Sequence, residues 1–194
     1  MVITISREYG AGGRSVAYGL SKKLGIEYYD VDFVKLTARN SGYSEEDIRR
    51  EGEDMSNGAK WINTLLEGMS SYTSAYDAIY EAQRKVVLEL AKSPCIIVGR
   101  CANIILREEG IPSFDVFLFA DREHRMKRVM ELAEYGNADP GKYLDKRDHM
   151  RRTYYKAYTR HEMGDYRDYN ICLDTGAFGM EGSVELIFDA ISRI

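Results

Sequence analysis

MVITISREYGAGGRSVA, residues 1–17, is the stretch that decides the fold of this chain. Residues 1–6 form an apolar, β-branched run typical of a strand, and residues 10–17 read GAGGRSVA, a glycine-rich turn that enters a helix. Such a turn lets several backbone N–H groups point at one anion, and the helix N-terminus adds partial positive charge. The stretch therefore predicts a loop that binds a phosphate or a nucleotide.

This loop departs from the usual phosphate-loop pattern, G-x-x-x-x-G-K-[ST]. Arg7 stands at the first glycine and Gly13 at the lysine, and the nearest cation after the turn is Arg14. Arg14 is the candidate to supply the missing charge, although its guanidinium is planar, bulkier than an ammonium group and always protonated. A tight strand-to-helix turn that holds no ligand is the alternative interpretation.

Length and composition predict one domain that spans residues 1–194. Hydrophobic residues make up 44% and charged residues 30% of the chain, which are ordinary fractions for a folded protein with a sizeable core. The net charge is -4 and the isoelectric point is about 5.5, which argues against a general nucleic-acid binder.

The sequence also predicts a soluble protein of the cytoplasm. The chain contains no apolar run of roughly 18 residues that could span a bilayer, and its N-terminus lacks the pattern of a secretory signal. Its three cysteines, Cys95, Cys101 and Cys172, are widely spaced, so we expect buried free thiols in a reducing compartment. We expect neither a membrane nor a nucleic acid among its partners.

Strand-like and helix-like segments alternate along the chain. Short apolar or β-branched runs predict five strands, at residues 2–6, 26–30, 95–98, 114–120 and 169–174. Apolar residues at helical spacing predict helices at about residues 14–24, 31–40, 75–92 and 142–162, a helix after Asp121 with Met126, Val129, Met130 and Ala133 inward, and a last helix from about residue 181. This alternation predicts an α/β fold in which helices cover both faces of a five-stranded parallel sheet.

Polar residues follow the predicted strands at the point where each strand ends. Because ligands bind outside the carboxyl ends of parallel strands, we expect these residues to line one cleft. The predicted lining consists of the loop at residues 7–15, Asp30, Gly99, Arg100, Asp121 and Asp174.

Arg100 and Asn103 are the candidates to bind a second substrate. A guanidinium directly after an apolar strand is costly to bury unless it meets an anion or a carboxylate, so Arg100 predicts a ligand contact or a structural ion pair. Asn103 lies one helical step further along the chain and is a candidate to hydrogen-bond a base or a ribose.

Taken in order, these motifs resemble those of the cytidylate kinase-like proteins, a divergent branch of the nucleoside monophosphate kinases. The resemblance rests on ITISREYGAGGRSVA at residues 3–17, IIVGRCANIIL at 96–106 and CLDTG at 172–176, together with an acid after strand two and an arginine-rich helix. It implies a P-loop phosphotransferase built as a three-layer sandwich. A helical acceptor arm at about residues 44–92 and a lid at about 136–163 would complete the domain.

The resemblance implies a donor site in the loop. The phosphates of ATP would be wrapped by Gly10, Ala11, Gly12, Gly13, Arg14 and Ser15, and Ser15 would also meet a magnesium ion. The aspartates Asp30, Asp121 and Asp174 are further candidates to hold the metal, directly or through water.

It also implies an acceptor site and a set of catalytic arginines. Asp30 would mark the acceptor side, and Arg100 would grip the acceptor monophosphate. Positive charge over the transferring group would come from Arg14 and from three lid arginines, Arg147, Arg151 and Arg152. The Gly/Asn/Pro patch at residues 136–141 is suited to a hinge, whereas a solvated helix face is the alternative reading of the basic run.

Two further residues depart from the family pattern. Cys101 stands where cytidylate kinases place an aspartate, and Phe119 stands where strand four often supplies an acid. A thiol cannot replace a carboxylate that accepts hydrogen bonds from an amino group, so the resemblance to cytosine-specific enzymes is weakened at this point.

These observations together with the resemblance predict a magnesium-dependent kinase that moves the γ-phosphoryl group of ATP to a nucleoside monophosphate, with CMP or dCMP as the first candidate. Two alternatives stay open: a nucleotide-binding sensor without turnover, favoured by the missing loop lysine, and a kinase of a non-nucleotide metabolite. Small-molecule nucleotides are the expected partners, and the apolar region at residues 61–90 is a candidate homodimer contact.

Overall fold

The computed structural model of the protein describes residues 1–30 and 75–193. Three sequence predictions therefore lie outside the described residues: the helix at 31–40, the part of the acceptor arm at 44–74, and the apolar stripe that begins at Trp61.

The described strands form one parallel five-stranded sheet, as predicted, in the order β2-β3-β1-β4-β5. The central strand is β1, which leads into the glycine-rich loop. The carboxyl ends of all five strands therefore open on one edge, and the loop lies at the middle of that edge. The strands are β1 (Val2–Arg7), β2 (Glu27–Tyr29), β3 (Cys95–Val98), β4 (Ser113–Phe119) and β5 (Ile171–Asp174).

Helices cover both faces of this sheet, and the described residues contain none long and apolar enough to cross a membrane. Their bounds are α1 (Gly13–Leu24), α2 (Ala75–Leu90), α3 (Ala102–Glu108), α4 (Arg122–Leu132), α5 (Pro140–Thr159) and α6 (Thr175–Ile191), with a 3₁₀ turn at Tyr166–Asp168.

The last helix begins six residues earlier than its apolar pattern predicts. The Asp174 carboxylate accepts hydrogen bonds from the backbone N–H groups of Gly176 and Ala177, and this cap starts α6 at Thr175. Gly179 then departs from helical geometry (φ 66°, ψ 176°), so the regular apolar spacing becomes visible only beyond this kink.

Two apolar layers confirm the predicted sandwich. Adjacent residues of β3 point to opposite faces: Ile97 packs with the layer that contains Val87 of α2 and Ile105 of α3, whereas Ile96 packs with Val16 of α1. All five of these side chains are fully buried. Apolar layers therefore cover both faces of the sheet, and polar side chains that bind a ligand are expected at its carboxyl edge.

The three cysteines are free thiols, as expected. Burial raises the pKa of Cys95 to about 11 and the pKa of Cys101 to about 12, and the pKa of the half-buried Cys172 is raised as well. These thiols are therefore protonated and unreactive near neutral pH.

Candidate active site

The loop between β1 and α1 requires glycine at two positions. Gly10 (φ +82°) and Gly12 (φ +76°) have left-handed backbones, which other residues adopt only with strain. A Cβ atom at Gly10 would lie 2.8 Å from the carbonyl oxygen of Arg125, and one at Gly12 would lie 2.2 Å from the sulfur of Met180. Gly12 caps α1 without a side-chain hydrogen bond, so no side chain of the cap covers the first-turn N–H groups.

We expect Gly10→Ala to lower the free energy of unfolding by about 2–4 kcal/mol, because it adds a backbone clash to left-handed strain. The matched control is Gly25→Ala: Gly25 is also left-handed (φ +68°), but no atom lies within 4 Å of its Cβ position. The control should cost about 1 kcal/mol and leave ATP affinity unchanged. Urea unfolding measures the free energy of unfolding, and calorimetric titration measures the affinity for ATP. Equal losses of stability in the two variants would contradict the packing argument.

A buried ion-pair network anchors the loop to α4 and α5. The Tyr9 N–H donates to Asp148 Oδ1 (2.7 Å), and Arg125 donates to the Tyr9 carbonyl (3.3 Å). Arg125 also pairs with Asp148 and, at 3.3 Å, with Glu8. The backbone of the loop is therefore held from outside by charged side chains that water hardly reaches.

Sequence reasoning expected four apolar residues to point inward from α4 and so missed Arg125; Val129 is buried as predicted, but two of the others are not. Met130 is 50% exposed and Ala133 is also exposed, whereas Arg125 is 8% exposed beside the fully buried Val129. The prediction was wrong at these positions because this face of α4 meets loop carbonyl and carboxylate groups, which need a donor. The available signal was the spacing of Arg125 four residues before Val129, which puts both on one helix face.

The predicted donor residues lie around one depression, here called the loop cleft, with an empty volume of about 510 Å³. Ala11 is the exception: its side chain is fully buried beneath the loop, and its carbonyl accepts a hydrogen bond from Thr175 (3.1 Å). The cleft is lined by Arg7, Glu8, Tyr9, Gly10, Gly12, Gly13, Arg14, Ser15, Arg128, Leu132, Glu134 and Arg151.

Ser15, the predicted magnesium ligand, has a cation beside it. Its hydroxyl oxygen accepts a hydrogen bond from Arg128 (2.9 Å). Among the described residues, no group of three or more histidines, cysteines or acids could hold a metal ion. A magnesium ion would therefore depend on Ser15, water and the phosphates of a nucleotide, a set that suits this ion, and Arg128 would have to release the hydroxyl.

Two aspartates that were predicted to line the cleft cap helices instead. Asp121 caps α4 by accepting a hydrogen bond from the His124 N–H (2.9 Å), and Asp174 caps α6. Both lie outside the lining of the loop cleft and of the second cleft that adjoins it. An aspartate directly before a helix is a common cap, which the sequence analysis did not consider for these two residues.

A second cleft adjoins the first at the carboxyl ends of β1 and β3. This arginine cleft has an empty volume of about 800 Å³. Arg7, Arg14 and Arg151 line both clefts, which therefore meet at three guanidinium groups. The lining is Ser6, Arg7, Arg14, Asp30, Gly99, Arg100, Cys101, Arg147, Met150, Arg151, Tyr154, Tyr155 and Met163.

The electrostatics of the arginine cleft favour an anion. Burial lowers the pKa of Arg7 to about 10, and burial together with the nearby charges of Arg7 and Arg147 lowers the pKa of Arg151 well below its ordinary value. Asp30 offsets part of this charge: it pairs with Arg14 and lies 3.6 Å from Arg7. Crowded guanidinium groups repel one another, so a bound phosphate would relieve an existing cost.

Strained backbone brings Arg100 to the rim of this cleft. Gly99, Arg100 and Cys101 have φ angles of 81°, 60° and 55°, three consecutive left-handed residues. Each non-glycine residue in this region costs about 1–2 kcal/mol. Such strain is concentrated at functional sites, where the surrounding structure sustains it.

The lid arginines of α5 divide between two faces. Arg147 and Arg151 line the arginine cleft and lie 5.2 and 5.0 Å from the centre of the Tyr9 ring, a cation–π arrangement that holds both guanidinium groups beside the loop. Arg152 lies outside the lining, is 54% exposed and pairs with Glu8 at 3.0 Å. The role of Tyr9 was not apparent from the sequence, and closure of the lid stays a prediction.

Asn103 lies in the core instead of the cleft. It is fully buried, and its amide nitrogen donates to the Tyr155 hydroxyl (2.9 Å) and to the Asp168 carbonyl (3.4 Å). It lies outside the lining of both clefts, so the prediction that it contacts a base or a ribose has no support in this geometry.

A parallel sheet in this strand order, with a glycine loop after its central strand and a basic helix beside the loop, defines a P-loop kinase fold. The family model described as the cytidylate kinase-like family matches residues 2–177, and the chain belongs to this family. The protein is therefore a kinase.

Comparison with known proteins agrees with this assignment. A protein named cytidylate kinase from Thermoplasma volcanium is 25% identical over 196 residues, which cover 100% of this chain and 93% of the relative. An uncharacterized protein from Eubacterium ventriosum has a crystal structure with a TM-score of 0.70 and 24% identity, covering 100% of this chain and 99% of that one. Shikimate kinase from Bacteroides thetaiotaomicron has a TM-score of 0.62 and 13% identity, covering 99% and 98%. The two structures show a shared fold.

Proposed function

We propose that the protein transfers the γ-phosphoryl group of ATP to a nucleoside monophosphate, with CMP and dCMP as the first candidates. The observation that carries the proposal is the meeting of a phosphate-binding loop and an arginine-rich cleft at Arg7, Arg14 and Arg151. Phosphoryl transfer requires alignment of two phosphates and positive charge around the moving group, and little covalent chemistry from the protein.

The proposal gives each part of the site a role. Loop N–H groups and the α1 N-terminus would hold the phosphates of ATP, and magnesium, when bound, would offset charge on them. Arg151 and Arg7 would neutralise the transferring group from between the clefts, while Arg100 and Arg147 would hold the acceptor phosphate.

Support for the acceptor is stronger for its phosphate than for its base. The five arginines of the cleft suit a monophosphate, and Tyr154 and Tyr155 are the aromatic residues in its lining beside which a base would lie. Cys101 also lines the cleft, and its raised pKa keeps it a neutral thiol that cannot act as the missing carboxylate. Cytosine is proposed as the base because the relatives are named cytidylate kinases.

One structural comparison favours a second candidate, a kinase of a non-nucleotide metabolite. Shikimate kinase shares the fold over 99% of this chain, and Cys101 lines the cleft at the position where the family aspartate would contact a base. The further alternative is a nucleotide sensor without turnover, and it is favoured by the absence of the usual lysine from the loop.

A coupled assay of ADP formation separates these functions. We expect turnover with CMP and dCMP, weaker turnover with UMP, AMP and GMP, and none with shikimate or gluconate. Turnover with a non-phosphorylated metabolite alone would favour the second candidate. Tight ATP binding in calorimetry without turnover on any acceptor would favour the sensor.

Small-molecule nucleotides are accordingly the proposed partners of the protein. A homodimer through residues 61–90 and a cytoplasmic location stay predictions, and light scattering coupled to size exclusion measures the first.

A further inference from the structure

Arg7 and Gly13, which stand at the first glycine and the lysine of the usual loop, lie against each other. The Arg7 side chain crosses the Cα atom of Gly13: a Cβ atom at Gly13 would lie 2.9 Å from Arg7 Cγ and 3.2 Å from Cδ. The guanidinium continues to Gly99, where a Cβ atom would lie 2.1 Å from Arg7 Nη1. A lysine at position 13 would therefore collide with the Arg7 stem, and both glycines leave the room that Arg7 occupies.

The Arg7 guanidinium also ends where the two clefts meet. It contributes to the lining of both, its side chain is 17% exposed, and its Nη2 lies 3.6 Å from Asp30 Oδ1. Arg14, the residue that the sequence suggested as the substitute, is 58% exposed and pairs with Asp30 and Glu134. The charge of Arg7 is the less solvated of the two, so it acts more strongly on a neighbouring phosphate.

We propose that Arg7 replaces the missing loop lysine, with its guanidinium in contact with the terminal phosphate of a bound nucleoside triphosphate. This inference rests on the proposed function to the extent that it requires such a triphosphate in the loop cleft. The loop thereby keeps a cation beside its N–H groups but takes it from the end of β1 instead of the first turn of α1. Arg7 and Gly13 are then a reciprocal pair.

Three variants test this pair. Arg7→Met keeps the stem over Gly13 but removes the charge, Gly13→Lys adds a lysine against an intact stem, and the double variant Arg7→Gly/Gly13→Lys restores the first glycine and the lysine of the usual loop. ATP affinity is measured by calorimetry without acceptor, kcat/KM by the coupled assay, and folding by thermal unfolding.

We expect Arg7→Met to lower kcat/KM for ATP about 100-fold and to weaken ATP binding, while its melting temperature changes little. Gly13→Lys alone should lose as much, because its side chain displaces the Arg7 stem. The double variant should regain at least about tenfold over either single variant, a non-additivity expected only of residues that share one task.

Recovery in the double variant supports the inference, because a merely structural Arg7–Asp30 pair would not be rescued by a lysine on α1. Unchanged ATP affinity and kcat/KM in Arg7→Met would overturn it and leave the proposed function standing. Arg7-dependent ATP binding in a protein that phosphorylates no acceptor would instead refute the transfer and support the role of Arg7. If Arg7→Met does not fold, the double variant decides: wild-type ATP affinity supports the inference, and absent affinity overturns it.

Discussion

Arg151→Ala is expected to lower kcat/KM about 100-fold or more while leaving the folded protein as stable as before. Arg151 lines both clefts and donates to the Arg7 carbonyl (3.3 Å), so its guanidinium lies where the donor and acceptor phosphates would meet. Its pKa is lowered by burial and by neighbouring arginines, which means that the free protein holds this charge at a cost. Its removal relieves this cost but loses the hydrogen bond to the Arg7 carbonyl and the contact with the Tyr9 ring, so the melting temperature should change little.

Arg152→Ala is the matched comparison for this variant. The two arginines are adjacent on α5, but Arg152 is 54% exposed, pairs with Glu8 and lies outside both clefts. We expect its kcat/KM to fall by no more than a few-fold. Steady-state kinetics with ATP and the best acceptor measure both effects, and a larger loss in Arg152→Ala would show that α5 uses its other face when the lid closes.

Asp148→Ala should destabilise the protein by about 3 kcal/mol, because removal of one partner leaves a buried charge uncompensated. The Asp148 and Arg125 side chains are 7% and 9% exposed, and Asp148 also accepts the Tyr9 N–H of the loop. Glu8 lies 3.3 Å from Arg125 and is retained in the variant, so we expect a loss at the lower end of the range for buried pairs. ATP affinity should fall as well, since the loop loses an anchor.

The same two helices provide the control for this change. Asp145 on α5 pairs with Arg122 on α4, each three residues before its counterpart in the buried pair, but these side chains are 59% and 56% exposed. Water and salt screen such a pair, so Asp145→Ala should leave stability within experimental error. Chemical unfolding of both variants measures the contrast, and equal stabilities would mean that the buried pair contributes no more than the surface pair.

Much of the fold was predictable from short segments. A β-branched run followed by a glycine turn predicted β1 and its loop, and the apolar run at residues 95–98 predicted a central strand, because both signals depend on neighbours in sequence. Helix faces were harder: on α4 the inward face includes Arg125 as well as the predicted Val129, since part of the opposing surface is backbone carbonyl and carboxylate groups.

The candidate site was predictable as a region but not as a set of contacts. Loop residues, Asp30 and Arg100 do lie around adjoining clefts, as the rule for parallel sheets requires. Asp121 and Asp174 follow strands as well, yet both cap helices, because the first turn of a helix competes for the same carboxylate.

The sequence by itself determined the sheet, the position of the phosphate loop and the segments that carry arginines, since these depend on local patterns. Only the tertiary structure decided which arginines serve the clefts. The Arg7 side chain extends over Gly13 and Gly99, which belong to different segments, so its position depends on how β1, α1 and the turn after β3 pack together.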